Sequence, residues 1–320
     1  MFGMFIRLDR KSTLTRARES VRTGQGVNTG LEKWDWLATD RVPEDSLQRL
    51  MAHPQLPQLQ YRVVQGALTF AATNREFQSL AADAGSFFLC CVAIYMDCTG
   101  GLTHRRLRAM TGGTGLISAG RASALLWRLR AGGMIEAAPD DSRRFVATRA
   151  IREIMRERLR VEFAPLSLLD PDTAPLMARF DAPETFDALM VQLGDDLMGS
   201  AGRPDPRLQG MGRLLAHNCG IMVLYALIEA MGQDSQFPPR GSARVSVSVL
   251  ARRFHLSRSH VLRVLRMMEE MGWLTSEGDL RTLGPRLGAE LRMFHALMAL
   301  GVLRAAHRAL RGPMPAPAAA

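Results

Sequence analysis

Lysine is nearly missing from this sequence. Of 41 basic residues only Lys11 and Lys33 are lysines, so arginine carries the positive charge. That bias fits a GC-rich genome as readily as a role for the planar guanidinium in bidentate contact with phosphate or a guanine edge. Cysteine is scarce as well. Cys90, Cys91, Cys98 and Cys219 lack metal-site spacing and are too few for a disulfide scaffold. They read as buried thiols behaving as small hydrophobes, with redox sensing by Cys90, Cys91 or Cys98 as the alternative. Long apolar runs are lacking: the longest, Phe87 to Met96, is far short of a membrane span. Met1 to Lys11 carries no signal-peptide core followed by a cleavage site. A cytoplasmic chain with no membrane partner is expected. No HExxH pair occurs, and Gly112-Gly113-Thr114-Gly115 lacks the Lys-Ser/Thr of a phosphate loop. The reading is therefore no enzyme, no metal and no cofactor.

What is present is a basic chain with ordinary cores. The hydrophobic fraction of 47% excludes a disordered polyelectrolyte. Net charge is +10, which favours a polyanionic partner, nucleic acid before membrane. The charge is unevenly placed. Between Val161 and Ser200, eight acidic residues (Glu162, Asp170, Asp172, Asp181, Glu184, Asp187, Asp195, Asp196) face Arg179 alone, a local net of −7 that leaves +17 on the remainder. The middle of the chain is a poor place for phosphate.

On either side of it lie two related stretches. LRAMTGGTGLISAGRASALLWRLRAGGMI runs from Leu107 to Ile135, and LARRFHLSRSHVLRVLRMMEEMGWL from Leu250 to Leu274. Pairing Ser118 with Ser257 matches Ile117 to Leu256, Leu126 to Leu265, Leu129 to Met268 and Gly133 to Gly272, all at an offset of 139. Leu107 and Leu250 differ by 143, so the first copy carries four extra residues, assigned to Thr111–Thr114. A repeat this far apart indicates a duplicated unit rather than a solenoid.

Within each copy, Ser118 and Ser257 are placed to cap a helix that Gly132-Gly133 and Gly272 end. Met134 to Thr148 reads as a hairpin turning at Pro139–Ser142, and Trp273 to Thr282 as a shorter one turning at Glu277-Gly278-Asp279. In the second helix Val261, Leu265 and Met268 must face a core. That leaves Arg258, Ser259, Arg263 and Arg266 outward, where arginine and serine can contact phosphate or bases.

These features resemble the winged helix-turn-helix of bacterial transcription regulators of the MarR, GntR and Crp type. The second copy carries the pattern LAxxxxLSRSxVxRxLxxxEExGWL, and the first is most similar to MarR-family domains, whose wings bring basic residues to the minor groove. The resemblance implies double-stranded DNA as partner, binding as a homodimer or, because the unit is duplicated, as a monomeric pseudo-dimer. It also implies a small-molecule effector pocket, which no residue locates. At the 139 offset Arg258, Ser259, Arg263 and Arg266 become Ala119, Gly120, Ala124 and Trp127. The second copy is thus expected to read sequence and the first to anchor backbone and minor groove, unless Trp127 packs between the halves.

The expected fold is mostly α with small hairpin wings. A basic flexible arm covers 1–58, the first winged unit 59–164, an acidic linker with one helix 165–215, the second unit 216–311 and a frayed tail 312–320. Expected DNA contacts are Ser257, Arg258, Ser259, His260, Arg263 and Arg266, with Arg281 on the second hairpin. In the first copy they are Arg105, Arg106, Ser118, Arg121, Ser123 and Arg128, with Arg143 and Arg144 on the hairpin. From Pro285 to Leu310 an apolar stripe (Leu287, Leu291, Phe294, Met298, Val302, Leu310) predicts a buried face against Gln58–Ala84 or a second copy, with Arg304 and Arg308 off it. Two other functions fit the same pattern: a plasmid-type replication initiator, and a protein-binding winged-helix scaffold.

Overall fold

Fourteen α-helices and three small sheets account for most of the described residues, which are 8–9, 42–112, 117–200, 205–234 and 236–311 of a computed structural model. The expected arm gives way to ordered chain well before residue 58. Leu8–Asp9 (β1) pairs in parallel with Val42–Pro43 (β2), and Glu44–Met51 (α1) buries Leu47 and Leu50. The rest of that arm, including Arg16, Arg18 and Arg22, lies outside the described residues. Leu56–Thr73 (α2) carries Pro57 in its first turn, where a missing N–H has no partner to lose, so the proline opens a helix rather than breaking one.

After the short Arg75–Leu80 (α3) comes Ala84–Cys98 (α4), capped by the Asp83 carboxylate accepting from the Ser86 amide at 3.0 Å. Its sequence, AGSFFLCCVAIYMDC, has no polar face, and the helix is buried almost all round. Leu102–Thr103 (β3), His104–Gly112 (α5), Ala119–Ala131 (α6), Ile135–Ala137 (β4) and Arg144–Ala147 (β5) follow, with the strands in the antiparallel order β3-β5-β4. The four-residue insert falls partly outside the described residues.

Arg149–Phe163 (α7) then leads into the acidic stretch, which is core rather than linker. It contains Ala174–Ala178 (α8) and Pro183–Ser200 (α9), and α9 packs against both α4 and the last helix through Phe186, Leu189, Met190 and Leu193. Several of its acids are paired within the protein. Asp187 pairs with Arg152, Asp181 with Arg160, Asp170 with His307 at 2.6 Å, and Asp196 with Arg304 and Arg308 at 3.0 and 3.3 Å. Helix–helix packing needs apolar faces, and the carboxylates sit where arginines arrive from neighbouring helices.

Gln209–Ala216 (α10) and Gly220–Ala230 (α11) meet at 97°, turning on His217-Asn218-Cys219 with Cys219 left-handed at φ 53°. No single helix among the described residues is long and apolar enough to cross a membrane; this bent pair matches only by combined length and composition, and Ile221 to Ile228 are buried in the protein. Ser242–Arg244 (β6), Val247–Arg253 (α12), Arg258–Glu270 (α13), Leu274–Glu277 (β7) and Leu280–Leu283 (β8) follow, in the order β6-β8-β7. Pro285–Arg311 (α14) closes the chain. It buries the predicted stripe mainly on α9 and α1, and touches α2 through His295 and Gln60 at 3.2 Å. Arg304, expected outside, is 1% exposed, because Asp196 meets it within the interface.

The repeat extends to the backbone. Helices α6 and α13 have thirteen residues each, and both serine hydroxyls accept from the amide three residues on. Gly133 and Gly272 both take φ 68°, a left-handed stop that glycine adopts without strain. The next amides, Met134 and Trp273, donate to Leu129 and Met268 carbonyls at 2.8 and 2.9 Å. From there the first hairpin is three residues longer, since Ile135 pairs with Ala147 and Leu274 with Leu283. Buried apolar residues from both copies belong to one continuous core.

Candidate nucleic-acid interface

Helix α13 is built to expose one face. Val261, Val264, Leu265, Met267 and Met268 are buried, and Arg258, Ser259, Arg263 and Arg266 are exposed. The Ser257 hydroxyl accepts from the His260 amide at 3.1 Å and lies 3.1 Å from the Ser259 hydroxyl. Leu262 is also partly exposed beside them. Among the described residues, Arg258, Arg263 and Arg266 make no ion pair or hydrogen bond. Arg253, one turn before this helix, is paired with Glu229. His260, expected to face DNA, is half-buried with Nε2 2.9 Å from the Asn218 carbonyl, so it fastens α13 to the α10–α11 bend.

That bend supplies two residues the sequence reading missed. Arg213 and His217, together with Ser259, Arg263, Arg266, Met267 and Glu270, line an open groove of about 430 Å³. The His217 and His260 rings are 6.2 Å apart. Burial holds the His217 ring below the usual imidazole range, and His260, Arg263 and Arg213 push it the same way. Arg213 reaches Glu270 only at 3.5 Å, with both side chains more than half exposed. No sequence signal links Arg213 to Arg263, fifty residues on; the bend alone brings them together.

Arg281 is a correction. It lies on β8, the central strand, and alternation along that strand turns it inward, leaving it 5% exposed with its Nε unpartnered. The tip of its hairpin is acidic instead, with Glu277 and Asp279 exposed around Gly278.

Several first-copy contacts are also committed elsewhere. Arg106 donates to the Met96 and Gly101 carbonyls and to the Thr99 hydroxyl, closing the end of α4. Arg121 is 2.5 Å from buried Asp83, so it serves the α4 cap. Ser123 donates to the Ala119 carbonyl of its own helix, and Arg128 to the Ser79 carbonyl. Arg144 pairs with Asp140 at 2.5 Å. Ser118 is an exposed N-cap, and Arg105 and Arg143 remain exposed with their side chains unpaired among the described residues. Trp127 does not pack between the halves. It is 52% exposed, its ring 5.6 Å from His104 and 6.5 Å from Phe145, with Arg130 over it at 5.3 Å. The outer face of α6 thus carries Gly120, Ala124 and Trp127 where α13 carries Ser259, Arg263 and Arg266.

Burial raises the pKa of all four cysteine thiols. Cys90 and Cys98 are both pushed up to about 12, in each case chiefly by burial. Among the described residues no cluster of three or more potential metal ligands occurs. A cavity walled by Phe70, Phe77, Phe87, Arg158, Tyr225 and Phe294 measures about 30 Å³, room for water rather than for a ligand of a few hundred cubic ångströms. No protein family, curated protein or solved structure matches the chain.

Proposed function

We propose that the chain is a sequence-specific, double-stranded-DNA-binding transcription regulator whose two repeats are tandem winged helix-turn-helix units. One observation carries the reading: Arg258, Ser259, Arg263 and Arg266 stand together on the solvent face of a capped helix with no intramolecular counter-ion among the described residues. Three exposed guanidiniums on one helix face repel each other, and a polyanion relieves that repulsion. The α12–α13 pair, its four-residue connection and the following hairpin have the order of a unit that sets its second helix in a major groove.

The two copies divide the work. Helix α13 reads bases, while Arg105, Arg143 and the Ser118-capped end of α6 contact backbone. Because the copies differ and share one core, a single chain is the binding unit and its preferred site is asymmetric.

The test is duplex binding by fluorescence anisotropy across salt. With roughly six to ten phosphate contacts, affinity should fall by about three to five decades between 50 and 200 mM salt. Arg258→Ala should cost about 1–3 kcal/mol on the preferred sequence and relax the preference. Salt-insensitive binding, or no binding to any duplex, would reject the proposal.

A further inference from the structure

The groove beside α13 holds more positive charge than a base-reading helix requires. Arg213 enters from α10, His217 from the bend, and Arg263 and Arg266 from α13, against one carboxylate, Glu270. Glu270 is 68% exposed and 3.5 Å from Arg213, so it does not neutralise the centre of the groove. Two hydrogen bonds anchor the bend. Cys219, left-handed at the bend, donates its amide to the Ala82 carbonyl at 2.7 Å, and Asn218 is tied to His260. Four nitrogen-bearing side chains, from α10, the bend and α13, therefore line one concave surface, with Glu270 beside Arg213.

We propose that this groove is a phosphate site in which Arg213, His217, Arg263 and Arg266 jointly hold one phosphate group. On the DNA-binding reading above, on which this deepening rests, that group is a backbone phosphodiester flanking the bases that α13 contacts. A free phosphate ion offers the same chemistry, and the experiment separates the two sources.

The site has a proton signature. Groups facing His217 are Arg213 on the preceding helix and His260, Arg263, Arg266 and Glu270 on α13. Burial and the surrounding cations keep the ring neutral in the empty groove at neutral pH. A phosphate placed there favours the imidazolium, so binding takes up a proton. Affinity then rises as pH falls from about 8 towards 6, by at most about tenfold per pH unit for one proton.

Binding of a fluorescein-labelled 25-base-pair duplex is measured at pH 6, 7 and 8 for the wild type, Arg213→Ala, His217→Ala and Glu270→Gln. In parallel, inorganic phosphate is titrated to about 20 mM while the imidazole resonances of His217 and His260 are followed by NMR. The proposal expects Arg213→Ala to weaken all duplexes alike, about tenfold, and to reduce the salt slope by about one. It also expects His217→Ala to flatten the pH profile and Glu270→Gln to tighten binding. If no duplex binds but phosphate shifts His217 in the wild type and not in Arg213→Ala, the site stands with free phosphate as its source, and the DNA-binding reading alone fails. Duplex binding that is indifferent to Arg213→Ala and His217→Ala overturns the phosphate site while leaving α13 as reader. No duplex binding and no phosphate-induced shift overturns both.

Discussion

His295 shows how a single residue here couples the core to pH. It sits fully buried on α14, with Nδ1 3.2 Å from the Gln60 amide and Nε2 2.8 Å from the Tyr225 hydroxyl. Burial holds it down at about 3. The unfolded chain therefore takes up this proton at a higher pH than the folded one. The stabilising effect of a neutral His295 is complete above about pH 6.5 and is lost as pH falls from there towards 3. Urea unfolding should show stability dropping between pH 6.5 and 5 by up to about 1.4 kcal/mol per unit from this residue. His295→Gln should remove that slope; a wild type equally stable at both pH values would contradict a buried neutral ring. Arginines illustrate the same dependence on surroundings. Arg106 and Arg121 look as free in sequence as Arg258 and Arg263, yet the first two close and cap α4.

At the scale of elements, close approach decides which glycines matter. An added Cβ at Gly194 on α9 would fall 2.1 Å from the Tyr95 ring of α4, whereas at Gly120 on α6 it would meet nothing within 4 Å. Alanine gains up to about 1 kcal/mol in helix propensity at either position, but overpacking costs about 1–3 kcal/mol. Gly194→Ala should lower the Tm, and Gly120→Ala should hold or raise it; matched shifts in a melting assay would show that α9 does not pack tightly on α4. The hairpins make a second contrast. Glu277 and Asp279 at the tip of β7–β8 repel phosphate, while Arg143 sits beside the tip of β4–β5. Glu277→Gln with Asp279→Asn should raise duplex affinity for all sequences by roughly 0.5–1 kcal/mol, and Arg143→Ala should lower it similarly. A change in preferred sequence from either variant would contradict backbone-only roles.

For the whole molecule, α14 is the element on which the rest closes. Leu287, Leu291, Phe294, Leu297, Leu300 and Leu303 are each at most 1% exposed, and the helix packs on α1, α2, α7 and α9. Truncation before Pro285 should abolish cooperative unfolding rather than release two stable halves. With the stripe buried inside the chain, light scattering should give one species near 35.3 kDa. A species of twice that mass, together with a truncated form that folds and binds DNA, would overturn the single-chain unit.

The sequence by itself determined the local elements. Serine caps, glycine stops and 3.6-residue periodicity act over a few residues, so the boundaries of α6 and α13 and both hairpin turns could be read from Ser118, Ser257, Gly133, Gly272 and Gly278. The 139-residue offset also marked which helix face is basic in one copy and apolar in the other. Only the tertiary structure decided where long-range partners fall. Acidic α9 reads as a linker by charge and becomes core because Arg152, Arg304 and Arg308 reach it from helices distant in sequence. Arg281 reads as a contact and is buried because alternation along β8 turns it inward. Arg213 and His217 carry no motif at all. They join Arg263 and Arg266 because a 97° bend places them there, and convergence of charge in space leaves no periodicity in a chain.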